Sequence, residues 1–428
     1  MMNLTDLPRL SNALQSGSLT LTDYLDRLEA HFAIQEPAVR AFVPEENRFE
    51  RLRQEARALE ARYPEPATRP PLFGLAVGVK DIFRVEGFAT QAGSQLPPDR
   101  LSGRQASSVS RLRQAGALIL GKTVTTEFAY FAPGPTRNPN NLAHTPGGSS
   151  SGSAAAVAAG LTPLALGTQT IGSVNRPAAF CGVVGFKPSH ERISRAGVIP
   201  LSASLDHVGF FTADVAAAEL AASVLCPHWQ LAVTQRKPVL GIPAGAYLDH
   251  VSAEGMVFFR AACRKLAAAG FLIQSLPAMA DFEAIAARHN LIVAAEAAQT
   301  HAKWFAEFSH LYHPKTADLI RRGQQVMGDE LKQALSGRIA LRHQLTHLMD
   351  NYGLDMWLSP AAVGPAPYGL ASTGDPVMNL PWTHSGLPTL TVPAGRNRDN
   401  LPFGLQLTAR WYMDEVLLLW AADIVREL

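Results

Sequence analysis

A regular alternation of apolar strands and helices, beginning at Leu72, constrains the fold of this chain more than any other feature. The segment PLFGLAVGVKDIF predicts a strand that ends at Lys80, SSVSRLRQAGA predicts a helix, and ALILGKT predicts a buried strand. An Ala-rich helix, SGSAAAVAAG, and a returning strand, LTPLALGTQT, follow. This alternation is typical of an α/β sheet whose loops gather at one edge, where the sites of such sheets usually form.

The flanking segments add helices and further strands to this sheet. A helix is predicted over residues 20–33, opened by the capping pair Thr20 and Asp23, and a second over 45–63. Beyond the sheet segments, we predict a strand at 237–241, helices at 253–269 and 281–308, and a closing helix at 415–428. Three short β segments precede that last helix: DMWLSP, LPTLTVPAG and FGLQLTAR.

Charge and cysteine content narrow the class of protein. The formal net charge is +2, with Lys and Arg scattered along the chain, so we expect no nucleic-acid partner. Cys181, Cys226 and Cys263 lack the paired spacing of a disulfide framework or zinc site, and fit buried thiols in a reducing compartment. No stretch reaches the roughly 18 apolar residues of a spanning helix. We therefore expect a soluble, cytoplasmic protein without a membrane partner.

Two hydroxyl-rich turns are the candidate sites of chemistry. The first, residues 147–152, precedes the Ala-rich helix, so its backbone N–H groups lie where negative charge is favoured; a flexible linker is the alternative interpretation. The second, residues 168–173, follows an apolar strand. Its N–H groups at Thr170, Ile171, Gly172 and Ser173 could surround an oxyanion while Ser173 attacks, although an ordinary capped turn has the same pattern.

Lys80 is the candidate base. A lysine at a strand end is commonly solvated, but burial beside two serines would lower its pKa and leave a neutral amine able to accept a proton. No histidine lies beside either turn in the sequence. His310 and His313 have no accompanying carboxylates and are more typical of surface or capping residues, so we predict no metal and no cofactor.

Two other motifs match the sequence formally but not in context. Residues 116–123, GALILGKT, fit the phosphate-loop pattern, yet the four middle residues are an apolar strand and the helix precedes it. Residues 148–152 fit GxSxG centred on Ser150, but a loop stands where a nucleophile elbow requires a strand. We therefore reject nucleotide binding through Lys122 and keep an α/β-hydrolase-type esterase as a weak alternative.

Taken together, these segments resemble the amidase signature family of serine hydrolases. The resemblance covers nearly the whole chain, through PLFGLAVGVKDIF, GKTVTTEFA, GPTRNPNN, the Gly/Ser stretch, FCGVVGFKPS, LDHVGFF, GLPTLTVPAG and LPFGLQL. It implies a single α/β domain over 1–428, with a central mixed β-sheet covered by helices on both faces. Within it we expect N-terminal helices (1–63), a catalytic core (72–230), a mainly helical cover (231–345) and the C-terminal part of the sheet (346–428).

The resemblance also implies a Ser–cis-Ser–Lys triad. Lys80 would be the base, Ser149 the bridging serine at a cis peptide bond, and Ser173 the nucleophile, with the N–H groups of 170–173 as the oxyanion hole. We further predict that Gly148 and Ser150 help to bind the substrate. No cofactor is required by this chemistry.

Departures from the family pattern bear on the substrate. Many members have Asp, Gly and Arg where this chain has Gln169, Ile171 and Asn175. The motif GTQT…GSVNRPA is similar to that of the malonamidase-like branch, in which an arginine at the position of Arg176 binds a substrate carboxylate. We hypothesise that Arg176 selects small acid-bearing amides; an arginine tied to a structural carboxylate or carbonyl is an equal alternative.

The predicted function is hydrolysis of a small carboxamide through a Ser173 acyl-enzyme, by a cytoplasmic enzyme that could form a homodimer. Besides the weak esterase alternative, two rival functions remain open. One is the subunit of an amidotransferase that amidates misacylated tRNA, although those relatives usually keep the Asp and Arg and are longer at the C-terminus. The other is a catalytically inactive binding protein, against which intact Lys80, Ser149 and Ser173 argue.

Overall fold

The structure, a computed structural model, describes residues 3–428 and is organised by one ten-stranded mixed sheet. The spatial order of its strands is β2-β1-β3-β5-β4-β9-β10-β8-β6-β7. The strands are β1 Ala76–Lys80, β2 Leu118–Thr123, β3 Leu164–Gln169, β4 Val184–Lys187, β5 His207–Thr212, β6 Leu240–Ala244, β7 Ile273–Pro277, β8 Met356–Pro360, β9 Thr389–Arg396 and β10 Pro402–Thr408.

Helices cover both faces of this sheet, as the family resemblance implies. They are α1 Leu7–Ser16, α2 Leu21–Val39, α3 Arg48–Arg62, α4 Ser107–Gln114, α5 Ser151–Ala158, α6 Asn175–Cys181, α7 Val215–Leu225, α8 Ala253–Ala268, α9 Phe282–Phe308, α10 Pro314–Gly323, α11 Gly328–Asn351, α12 Leu380–Ser385 and α13 Asp414–Val425.

The strand directions explain why β1 and β3 can carry a site. Strand β1 runs parallel to both β2 and β3, so all three end at the same edge. Strands β3 to β10 in the middle of the sheet pair antiparallel, and the far edge returns to parallel pairing between β8, β6 and β7. The short β1 and β3 are buried on both sides, which is typical of strands covered by helices on each face.

Local sequence signals set most of the element boundaries. The Thr20 hydroxyl accepts the Asp23 N–H at 3.0 Å and starts α2, which continues past the predicted end to Val39. Helix α1 has no counterpart among the predicted helices: the Asp6 side chain caps it, and it buries Leu7, Leu10 and Leu14. Strand β6 begins three residues later than predicted, at Leu240.

The apolar interior divides into two large clusters. One lies under the N-terminal helices, the half of the sheet that contains β1 to β5, and α13. The other joins α9, α11 and α12 to the far strands and reaches Ile171 and Leu201. The turn after β3 therefore lies where the helical cover meets the sheet. Among the described residues, no helix combines the length and apolar character needed to cross a bilayer.

Candidate active site

Lys80 ends β1 with its amine fully buried. Its Nζ donates to the Ser149 Oγ at 2.7 Å and to the Thr168 Oγ1 at 2.8 Å. Burial lowers the pKa of this amine well below its ordinary value, and only the negative field of Asp206 opposes that shift. Because both acceptors are hydroxyls rather than carboxylates, the site favours an uncharged Lys80.

Asp81, the residue after Lys80, does not form an ion pair with Lys80. Its Oδ1 accepts from the Lys122 Nζ at 2.6 Å, and both groups are buried. Lys122 pairs with Val79 in the β1–β2 register, so it projects from the same sheet face as Val79 and Asp81 and from the face opposite to Lys80. Lys122 is therefore part of a structural ion pair, and nothing in its surroundings resembles a phosphate loop.

Ser149 reaches Lys80 from the turn before α5, and the Gly148–Ser149 peptide bond is cis. The backbone here is tightly enclosed: a Cβ at Gly148 would lie 2.8 Å from the Thr373 Cγ2. Ser150 faces away from the pocket, since its hydroxyl pairs with the backbone of Thr168. The GxSxG match thus offers no accessible nucleophile at Ser150.

Ser173 lies in the turn between β3 and α6 and lines the same small pocket as Ser149. The hydroxyl of Ser173 makes no hydrogen bond within residues 3–428, and neither do the N–H groups of residues 170–173. Buried N–H groups are nearly always paired. A run of free donors beside a hydroxyl is the arrangement that an oxyanion hole requires.

Three contacts from distant parts of the chain hold this turn. The Thr170 Oγ1 donates to the Asp206 Oδ1 at 2.5 Å, and the Thr383 hydroxyl donates to the Ile171 carbonyl at 2.7 Å. A Cβ at Gly172 would lie 2.4 Å from the Asn379 Oδ1, so only glycine fits there. The turn is thereby fixed by its side chains and carbonyls while its N–H groups stay available.

The two departures at Gln169 and Asn175 compensate for each other. The Gln169 Nε2 donates to the Asn175 Oδ1 at 2.8 Å, and its Oε1 accepts the N–H groups of Val174 and Asn175. Thr389 and Thr391 complete the hydrogen bonds of Asn175. A neutral amide pair therefore ties the end of β3 to the start of α6, directly around Ser173.

Arg176 is buried, and its guanidinium donates hydrogen bonds to backbone carbonyls. Its Nη1 donates to the Gly374 carbonyl at 2.5 Å and its Nη2 to the Gly148 carbonyl at 2.6 Å, with Thr373 as a weaker partner at 3.2 Å. Burial lowers the pKa of Arg176 to about 10. Gly148 therefore contributes a carbonyl to Arg176, and Arg176 joins the cis turn to the loop at 373–376.

Aromatic side chains line part of the pocket, and charged side chains surround its entrance. Tyr130, Phe131 and Pro376 are shared by the inner pocket and an outer vestibule that also contains Lys315, Asp318, Arg322 and Asp375. The inner pocket is lined by Ala129, Tyr130, Phe131, Ser149, Thr170, Ile171, Gly172, Ser173, Arg176, Leu201 and Pro376.

Several site residues were missed from the sequence. Thr168 is the second acceptor of Lys80, Asp206 and Thr383 hold the turn at residues 170–173, and Asn379 leaves no space for a side chain at Gly172. Asp206 lies in the segment LDHVGFF, one of the motifs that carry the family resemblance, and this position could have indicated a role at the site. The two simultaneous departures, Gln169 and Asn175, were a signal of a coupled pair. Thr383 and Asn379 had no signal, since nothing local places them at the pocket.

His310 and His313, which we predicted not to bind a metal, lie at the start of α10 and in the turn before it. The His313 Nδ1 accepts the Lys315 N–H at 3.2 Å and caps α10, and His310 lies in the short turn before it. Within residues 3–428, no group of three or more His, Cys, Asp or Glu side chains is arranged to hold a metal ion. Cys181, Cys226 and Cys263 are unpaired thiols.

A mixed sheet with helices on both faces, together with a buried lysine–serine pair at its parallel edge, is the architecture of an amidase-type hydrolase. The family model described as Amidase matches residues 21–418. The chain therefore belongs to the amidase family. This match assigns the family and not the malonamidase-like subtype.

Curated relatives and solved structures agree with this assignment over almost the full length. A glutamyl-tRNA(Gln) amidotransferase subunit of Nitratidesulfovibrio vulgaris (strain DP4) is 31% identical, covering 99% of this chain and 96% of that protein. The same subunit of Oleidesulfovibrio alaskensis (strain ATCC BAA-1058 / DSM 17464 / G20) is 32% identical over 98% and 96%. A crystal structure of an amidase has a TM-score of 0.87 at 32% identity, covering 98% and 99%. The native peptide amidase from Stenotrophomonas maltophilia has a TM-score of 0.82 at 25% identity, covering 99% and 96%.

These relatives overturn one expectation from the sequence. The prediction that nucleic acid is excluded as a partner is wrong, because the curated relatives are named as subunits of an enzyme that acts with a tRNA. Net charge and scattered basic residues test only direct electrostatic binding by this chain. They carry no information about a tRNA that belongs to a larger assembly.

Proposed function

We propose that this chain hydrolyses the C–N bond of a small carboxamide by way of a Ser173 acyl-enzyme. The observation that carries the proposal is the buried Lys80 amine, 2.7 Å from the hydroxyl of Ser149 at a cis peptide bond, in a pocket that Ser173 shares. A base and a hydroxyl nucleophile in one desolvated site are the requirements of acyl transfer.

The reaction would proceed in two half-steps. Neutral Lys80 takes a proton from Ser149 as Ser149 takes one from Ser173, whose oxygen attacks the amide carbon. The N–H groups of residues 170–173 stabilise the oxyanion, and the proton returns through Ser149 to the leaving nitrogen, which departs as ammonia or an amine. Water then attacks the ester by the reverse relay and releases the carboxylic acid. One amide and one water give one acid and one amine.

We also propose one functional domain, with the relay in the core segment 72–230 and substrate cover from the helices of 231–345. The strongest support is the continuity of the sheet: β9, β10 and β8 of the C-terminal part lie between the core strands β1–β5 and the strands β6 and β7 of 231–345. Ile171, Leu201 and Phe131 narrow the pocket, which supports a short acyl group. Ser150 contributes by fixing the Thr168 backbone beside Lys80.

Selection of acid-bearing substrates by Arg176 is the finer part of the proposal. Arg176 lines the pocket, but its contacts to the Gly148 and Gly374 carbonyls make it a positioning residue as well. Hydrolysis of malonamate and of a neutral amide should be compared in the wild type and in Arg176→Ala. A larger loss on malonamate supports carboxylate recognition, whereas an equal loss on both removes that role and leaves the support of the cis turn.

The main experiment is ammonia release across a panel of short amides, acidic and neutral, with Ser173→Ala as the control. A fluorophosphonate probe should label the wild type at Ser173 and leave Ser173→Ala unlabelled. Lack of both turnover and labelling in a folded protein would reject the acyl-enzyme. That outcome would favour a binding protein on this fold.

A second candidate function is that of an amidotransferase subunit, and the names of the curated relatives favour it. The alignment with the Oleidesulfovibrio alaskensis relative runs over 480 positions, more than the 428 residues of this chain, so that relative carries segments absent here. Purification from the native host with two stoichiometric partner subunits, and ammonia transfer to a misacylated tRNA, would support this function. A chain that purifies alone and releases ammonia from simple amides supports the hydrolase.

A further inference from the structure

We propose that the helical cover contains an anion site, separate from the catalytic pocket, that binds a small oxyanion such as phosphate or sulfate. The site is the Arg338 cluster, which comprises Arg338 on α11 and four imidazoles, those of His190, His207, His289 and His384. The imidazoles pack as two pairs, with ring centroids 4.9 Å apart for His190 and His207 and 5.5 Å apart for His289 and His384.

The first observation is a set of buried polar atoms without partners. Six ring nitrogens of these four histidines make no hydrogen bond within the described chain, although His289 and His384 are fully buried. His289 lies beside the Thr170 carbonyl without reaching hydrogen-bond geometry. Buried polar groups that lack partners are rare in proteins and indicate a bound water or ion.

The second observation is an excess of positive charge around those atoms. Arg342 and Arg195 act electrostatically on His190 in addition to Arg338, and Lys187, whose pKa burial lowers to about 7, adds a partial positive charge. The acidic side chains that face Arg338 are Glu296 and Glu191. Both carboxylate oxygens of Glu296 are already bonded to Ser202 and Ser204, whereas Glu191 is mostly exposed and pairs with Arg195.

The hydrogen-bonding groups suit an oxyanion. The Nε atoms of Arg338 and Arg342 donate to the last carbonyls of α12, at 3.3 Å and 2.7 Å, which leaves their terminal nitrogens free of protein acceptors. Burial and the nearby arginines lower the pKa values of His190 and His289 to about 3, so each ring is neutral and offers one N–H. A guanidinium with neighbouring N–H donors binds oxyanions in bidentate fashion.

A cation is a poor occupant of this cluster. Four imidazoles would suggest a transition metal, but no three metal-ligating side chains in residues 3–428 have the required arrangement. Arg338 acts electrostatically on all four rings and would repel a metal ion. An anion, in contrast, is favoured by the same field.

The cluster adjoins the two residues that hold the oxyanion turn. His384 follows Thr383, which donates to the Ile171 carbonyl, and His207 follows Asp206, which accepts from Thr170. An anion that orders α12 and the start of β5 would therefore order the turn around Ser173. We expect occupancy to raise kcat and leave KM nearly unchanged.

The test is thermal unfolding and equilibrium binding of phosphate and sulfate to the dialysed full-length protein, with chloride at matched ionic strength as the reference. A ligand that binds only the folded state raises the melting temperature in proportion to its occupancy. We expect saturable stabilisation by phosphate and sulfate beyond that of chloride. The absence of any such difference in the wild type, which leaves ordered water as the occupant, would overturn the proposal.

Variants localise the site. Arg338→Gln should weaken phosphate binding about tenfold or more, since a charge-assisted hydrogen bond contributes about 1.5–3 kcal/mol. Arg338→Lys keeps the charge and tests the fork geometry if the glutamine variant unfolds. Lys332→Gln, an exposed charge removal on the same helix, is the matched control. Equal phosphate affinity in wild type, Arg338→Gln and Arg338→Lys would place the anion elsewhere and overturn the assignment.

Discussion

Lys80 and Lys122 lie on adjacent strands, both buried, yet their surroundings differ in one respect that decides their chemistry. Lys122 has a carboxylate partner, Asp81, at 2.6 Å. Lys80 has only the hydroxyls of Ser149 and Thr168. Burial lowers the pKa of both amines, but Asp81 counteracts the shift at Lys122, and the pKa of Lys80 falls much further.

The difference between these lysines separates a structural cation from a proposed base. A one-residue offset along β1 and β2 sends the two amines to opposite faces of the sheet, so Asp81 can neutralise one and not the other. The same buried residue type thus stabilises the fold on one strand and has the surroundings of a base on the adjacent strand. Partner chemistry, rather than burial alone, distinguishes them.

The largest expected effect is on turnover in Lys80→Met. Removing the proposed base should reduce kcat by about 100- to 10,000-fold, because general base catalysis contributes about that much. Stability at neutral pH should not fall: no carboxylate loses its partner, and the variant no longer has to bury an amine that is protonated in the unfolded chain. Amide hydrolysis and the melting temperature measure the two effects. Retention of more than a tenth of the wild-type kcat would disprove the role of Lys80.

Lys122→Met should show the reverse pattern. It leaves the buried Asp81 unpaired, which costs about 3–5 kcal/mol of unfolding free energy. The fraction that remains folded should keep near wild-type kcat. Urea denaturation measures the loss, and adding Asp81→Leu should recover much of it by removing the orphaned carboxylate. Failure of the double variant to recover stability would contradict the ion-pair interpretation.

The pH dependence of the unfolding free energy should reveal the lowered pKa of Lys80. The folded-state pKa of Lys80 lies below its unfolded value of about 10.4, so in the interval between them the unfolded chain binds a proton that the folded chain lacks. Unfolding free energy should therefore rise with pH across that interval. Lys80→Met should flatten this rise when denaturation is measured from pH 7 to 10. An unchanged slope would mean that Lys80 has an ordinary pKa.

The smallest effect is expected for Thr168→Val, which removes one acceptor from Lys80 and keeps the side-chain shape. A lost hydrogen bond in a buried site costs about 1–3 kcal/mol, so kcat should fall about tenfold. Thr162→Val is the matched control, because Thr162 bonds the backbone of β1 and β3 away from the pocket. Equal kcat in the two variants would show that Thr168 has no part in placing the amine.

Sequence patterns predicted the sheet, its main strands and the residues proposed as the triad, because each depends on local periodicity or on an ordered set of motifs. They did not predict the partners of those residues. The Gln169–Asn175 amide pair spans only six residues, and the two departures there were a signal for it. The Asp206 contact to Thr170 and the Arg176 contacts to backbone carbonyls join segments 28 to 198 residues apart. Such contacts depend on how the whole chain packs, which no local spacing encodes.

The most direct test of the account is the ionisation of Lys80 itself, followed by NMR with ¹³Cε-labelled lysine and assigned by the loss of its signal in Lys80→Met. We predict an amine that is uncharged at neutral pH and titrates well below the ordinary lysine range, while Lys122 stays protonated to higher pH. A Lys80 signal that remains protonated above pH 9 would contradict the proposed base and, with it, the relay to Ser173.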